Sequence, residues 1–121
     1  MRFLVDTHAF LWYIADSPNL SEYAADLLEN TEHQPVISTA SLWEIAIKTS
    51  TGKLKVGSSL AVLVKDKITG LGFELTPIEP EHLDVLASLP FHHRDPFDRT
   101  LVAQCVYKKL PLLSRDAVLD S

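Results

Sequence analysis

The sequence predicts an α/β protein, a three-layer α/β/α sandwich around a mainly parallel sheet, with residues 1–121 forming a single domain. Short apolar runs of strand character at Arg2–Val5, Pro35–Ser38, Phe73–Ile78 and Pro111–Ser114 alternate with longer segments of helical period. Strands separated by helices build parallel sheets whose faces the helices cover. No internal repeat, low-complexity run or interdomain linker breaks the pattern.

Composition supports this reading. A chain of 121 residues is long enough to bury roughly two-thirds of its unfolded surface in one core. Its 46% hydrophobic and 22% charged content argues against disorder. No apolar run approaches the ~20 residues of a membrane span, and the first apolar segment breaks at Asp6, too early for a secretory signal. Cys105 is the lone cysteine, so the expectation is a small buried thiol in a reducing, cytoplasmic setting. The net charge of −5 argues against simple adhesion to nucleic-acid phosphates, yet leaves room for a nuclease whose acids surround a metal ion.

In chain order, the first strand ends at Asp6-Thr7, and His8 to Ala15 has the spacing of a short helix closed by Asp16-Ser17-Pro18-Asn19. Ser21 caps a second helix reaching about Glu29, with Ala24, Ala25, Leu27 and Leu28 inward. Ser41-Leu42-Trp43-Glu44 opens a third helix to about Ser50, and Gly52 follows as a stop. Another helix runs from Ser58 or Ser59 to Gly70, and Glu79-Pro80-Glu81 begins the next. Asp95 caps the last helix, with Pro96 at its first position and Asp98 in its first turn. Phe97, Leu101, Val102, Cys105 and Val106 form the apolar face expected to meet the core.

Acids fall where such a fold gathers ligands, outside the carboxyl ends of the strands. Asp6 follows the first strand, Glu44 lies early in the helix after the second, Asp98 opens the last helix, and Asp116 follows the last strand. Each has a local structural alternative. Asp6 can cap a helix, Ser41-x-x-Glu44 fits a capping box, Asp95 reads as a cap, and Asp116 suits a turn. Carboxylates gathered together repel one another unless a cation joins them. Hard oxygen donors suit Mg²⁺ or Mn²⁺, and the chemistry that needs such a site is metal-assisted hydrolysis of a phosphate ester. Asp6 and Asp98 are the expected direct ligands, with Glu44 and Asp116 completing the site or orienting water.

Other candidates are weaker. His8, His33, His82, His92 and His93 lack zinc spacing with cysteine, and no phosphate-cradling glycine motif or nucleophile elbow is present. Arg94, Arg99 and Arg115 suit either phosphate or neighbouring carboxylates. Trp12, Tyr13 and Trp43 suit the core or a subunit interface better than base stacking. An aspartyl phosphotransfer reading built on Asp6 lacks the second aspartate two residues on.

Four blocks in order, Leu4-Val5-Asp6-Thr7-His8-Ala9-Phe10-Leu11-Trp12, Ser41-Leu42-Trp43-Glu44-Ile45-Ala46-Ile47-Lys48, Asp95-Pro96-Phe97-Asp98-Arg99 and Leu113-Ser114-Arg115-Asp116, resemble the signature blocks of PIN-domain proteins. The nearest resemblance is to the VapC-type toxins of toxin–antitoxin pairs. It implies an Mg²⁺- or Mn²⁺-dependent endoribonuclease, a homodimer and inhibition by a cognate antitoxin. It places the acidic positions on Asp6, Glu44, Asp98 and Asp116, with Thr7 and Ser114 as small polar neighbours of the metal. Asp95 and Arg99 are further expected neighbours of the site or substrate. The alternative is a non-catalytic RNA- or protein-binding module on a PIN-like fold.

Overall fold

The computed structural model describes residues 1–90, 95–114 and 118–119. Its five-stranded sheet has the order β3-β2-β1-β4-β5, built from β1 (Arg2–Val5), β2 (Gln34–Ser38), β3 (Glu74–Thr76), β4 (Leu112–Leu113) and β5 (Val118–Leu119). The first four strands run parallel, and β5 lies antiparallel to β4.

Alternation along β1 sets the layers. Phe3 and Val5 face a cluster containing Ala9, Phe10, Leu28, Leu63 and Ile68, while Leu4 faces Val36, Leu101 and Cys105 on the opposite side. The first cluster is supplied by α1 (Thr7–Ile14), α2 (Glu22–Glu29) and α4 (Leu60–Leu63), whose chain continues as a π-helix over Val64–Thr69. The second is closed by α6 (Pro96–Lys108), which packs along α5 (Pro80–Ser88). Between them, α3 (Thr39–Ser50) gives Ile45 to one cluster and Ala40 to the other. The expected three-layer sandwich is therefore the fold observed.

Four local differences from the sequence reading have physical causes. Helix α3 begins at Thr39, because Ser38 accepts the Ala40 N–H and acts as its cap. Ser41 is buried instead and takes a hydrogen bond from the Thr7 hydroxyl at 2.8 Å. The Ser41-x-x-Glu44 capping box is thus not formed, and Glu44 lies beyond the first turn. Helix α6 begins after the expected Asp95 cap, but its buried face includes Arg99, Thr100 and Gln104, while Val106 is exposed. Their polar groups are directed onto backbone carbonyls: Thr100 donates to Pro96, Gln104 to Pro77, and Arg99 to Leu86 and Pro90. The helix expected up to Gly70 becomes a π-helix, and a Cβ on Gly70 would stand 2.5 Å from the Asp66 carbonyl oxygen. Lastly, β5 extends a sheet that the sequence reading ends at Pro111–Ser114; two residues carry no period from which to read a strand.

Candidate active site

The carboxyl ends of the parallel strands carry the acids. Asp6 follows β1, and its backbone N–H bonds to the Leu113 carbonyl at 2.9 Å, so the residue is fixed between the two central strands. Its carboxylate accepts the His8 N–H at 3.3 Å and caps α1. The capping role weighed from sequence is real, and it occupies only one of the carboxylate's four lone-pair sites. The His8 imidazole lies 4.0 Å from the same carboxylate.

The Thr7–Ser41 hydroxyl contact ties the start of α1 to α3, which carries Glu44. Glu44 is only 3% exposed. One of its oxygens pairs with Lys48 Nζ at 2.9 Å, one helical turn on, and the other, Oε1, has no hydrogen-bond partner among the described residues. A buried carboxylate oxygen without a partner is costly, so it marks a position where a donor or cation belongs.

Asp98 lies in the first turn of α6, half-buried. Burial pushes its carboxyl above the ordinary carboxylate range, and the negative charges of Asp95, Asp6 and Glu44 push it further. His8 acts in the opposite sense. Asp98 thus shares one field with Asp6 and Glu44, from a different helix. Asp95 is exposed and accepts the N–H groups of Phe97 and Asp98, which makes it the cap of α6. Arg99, offered from sequence to phosphate or carboxylate, donates to the carbonyls of Leu86 and Pro90 at the end of α5. Ser114 follows β4, half-buried. Asp116, with His92, His93, Arg94 and Arg115, lies outside the described residues.

Among the described residues, no three His, Cys, Asp or Glu side chains already stand at metal-ligand spacing. The donor chemistry nevertheless fits a hard divalent cation: acceptor-only carboxylates in mutual repulsion, with one buried oxygen unpartnered. In the sequence Lys48 stands only as the last residue of the Ser41–Lys48 block; its i,i+4 spacing from Glu44 is the signal for the ion pair. Beside the acids, His8 and Lys48 also line a groove with Trp12, Leu54, Lys53 and Lys55.

The PIN domain family profile matches residues 3–121, and the chain belongs to that family. Among solved structures, a chain of VapBC2 from Rickettsia felis, determined bound to a DNA fragment from its promoter, shares the fold with a TM-score of 0.66. The match covers 94% of this chain and 87% of that one at 14% sequence identity. No curated protein sequence matches the chain.

Proposed function

We propose that this PIN domain is a metal-dependent endoribonuclease, the toxin of a toxin–antitoxin pair, with Asp6, Glu44 and Asp98 holding Mg²⁺ or Mn²⁺ and Asp116 completing the set. The observation that carries the proposal is Glu44, a buried carboxylate with an unpartnered oxygen in the field of two other acids. PIN domains are generally nucleases, which supports hydrolysis over binding alone. The VapBC2 likeness supports a cognate antitoxin as partner, and a homodimer and a cytoplasmic setting complete the reading. No helix among the described residues is long and apolar enough to cross a membrane.

Bound there, a divalent cation supplies an activated water and stabilises the charge that develops on phosphate. The chain's own residues do the positioning. Asp6 is fixed by its backbone bond to β4, and the Thr7–Ser41 contact holds α1 against α3, which sets Asp6 relative to Glu44. Asp95 caps α6 and so fixes the turn that presents Asp98. Raised by its neighbours, the Asp98 carboxyl gains most from a cation that removes their repulsion.

A cleavage assay on total RNA with Mg²⁺, Mn²⁺ or EDTA, comparing the wild type with Asp98→Asn, tests this. Cutting that needs the metal and disappears in the variant is the expected result. RNA binding without cutting, equal in both proteins, would replace the nuclease reading with a binding module.

A further inference from the structure

Glu44 and Lys48 form an unequal pair. The Glu44 side chain is 4% exposed and held on a packed helix, whereas that of Lys48 is 32% exposed. Lysine is a compact charge on a flexible four-carbon stem, able to move without moving the backbone. Its ammonium satisfies one Glu44 oxygen and leaves the other bare. The same side chain lines a groove shared with Lys53, Lys55 and Lys67 and with the carboxylate of Asp66, so it borders open space that holds an acid of its own.

We propose that Lys48 is the displaceable counter-ion of this site: it holds Glu44 while no metal is bound, and releases it into the control of a divalent cation, turning its ammonium into the groove. The inference rests on the metal-site reading above and adds a residue to it. Metal-free, the fold needs some cation at Glu44, because burying an unpaired carboxylate is strongly unfavourable. A divalent ion approaching Oε1 brings twice the charge of the ammonium and meets the Asp6 and Asp98 charges as well. Two cations on one carboxylate repel, and the one on a flexible, partly exposed stem is the one that leaves. A permanent structural ion pair would behave differently, since it would stay in place and help to hold Glu44 for the metal.

Two measurements separate these cases. The first is lysine acylation of the wild-type protein followed by mass spectrometry, without metal and with Mn²⁺. Mn²⁺ is expected to raise labelling of Lys48 severalfold and to leave Lys108, at the end of α6 opposite Asp98, unchanged. The second is calorimetric titration of Mn²⁺ into the wild type and Lys48→Met. The variant is expected to bind Mn²⁺ about tenfold tighter, having lost a competing charge, and to melt about 4 °C lower when metal-free. Labelling of Lys48 that Mn²⁺ leaves unchanged, or Mn²⁺ binding that weakens or stays the same in Lys48→Met, overturns the proposal. Where Lys48→Met does not fold, the wild-type labelling decides. Wild-type protein that binds no Mn²⁺ overturns the metal site and this inference together. Binding that is lost in Asp98→Asn while Lys48 labelling stays unmoved overturns the inference alone.

Discussion

Two regions of this protein bury polar side chains, and they do so in opposite ways. Along the seam between α5 and α6, His82 Nδ1 accepts the Glu79 N–H at 2.9 Å, Gln104 donates to Pro77, and Arg99 donates to Leu86 and Pro90. These donors go to backbone carbonyls, and the buried side-chain atom left unpartnered there among the described residues is the neutral amide oxygen of Gln104. At the carboxyl ends of β1 and β2 the buried or half-buried acids Asp6, Glu44 and Asp98 are charged acceptors, and Asp6 and Glu44 push the Asp98 carboxyl upward. The seam is satisfied from within the chain. The acid edge asks for something from outside it, which is why polar burial signals structure in one place and chemistry in the other.

The largest effect should come from Asp98→Asn. Metal-dependent cleavage is expected to fall roughly a hundredfold or more, while the metal-free protein becomes more stable at neutral pH. The folded carboxyl titrates above its unfolded value, so its charge opposes folding above that range and the penalty disappears as pH falls and the group protonates. Melting curves of wild type and variant should therefore differ at neutral pH and converge in acid. A variant less stable at neutral pH would show that the acid edge is not repulsive.

On the seam the signs reverse. Arg99→Met should cost about 2 kcal/mol, because the carbonyls of Leu86 and Pro90 lose a charged donor, with Mn²⁺ affinity unchanged in titration. Loss of metal affinity would mean that the two regions are coupled. His82 provides a pH test. Burial holds its imidazole below the ordinary 6.5, helped by Lys108 and opposed by Glu79 and Glu81. Its neutral form is the one that accepts from Glu79, so the stability it contributes is full above pH ~6.5 and is lost as pH falls below it. In His82→Gln, denaturant midpoints should decline less between neutral and mildly acid pH. The smallest effect belongs to Arg2→Ala. Arg2 bridges from β1 across β2 to Glu74 on β3, with both side chains about 40% exposed, and removing it should cost about 0.5 kcal/mol in urea unfolding.

Much of this was legible in the sequence where signals are local. The apolar runs of β1 and β2, the Ser21 and Asp95 caps and the proline opening α6 all work within a few residues, and they define the fold class. The positions of Asp6 and Asp98 followed from them. What was not legible depends on distant partners. Ser41 reads as a cap because nothing nearby reveals that its hydroxyl meets Thr7, 34 residues earlier in the chain. The carbonyl acceptors of Arg99 and Gln104 were not legible because they lie in other segments. The bare oxygen of Glu44 appears only once α3 is seen to begin at Thr39.

The bond from the Asp6 N–H to the Leu113 carbonyl also orders events in time. Strand β1 is made first, yet one of its flanks stays open until β4 has been synthesised. At roughly 5–20 residues per second, a ribosome needs about 5–20 s to travel from Asp6 to Leu113. Throughout that interval a nascent chain carries Asp6, joined by Glu44 part of the way through, without the strand that fixes Asp6 in place. During synthesis the acid edge therefore waits for β4, and a ribosome still translating this chain carries an unfinished site.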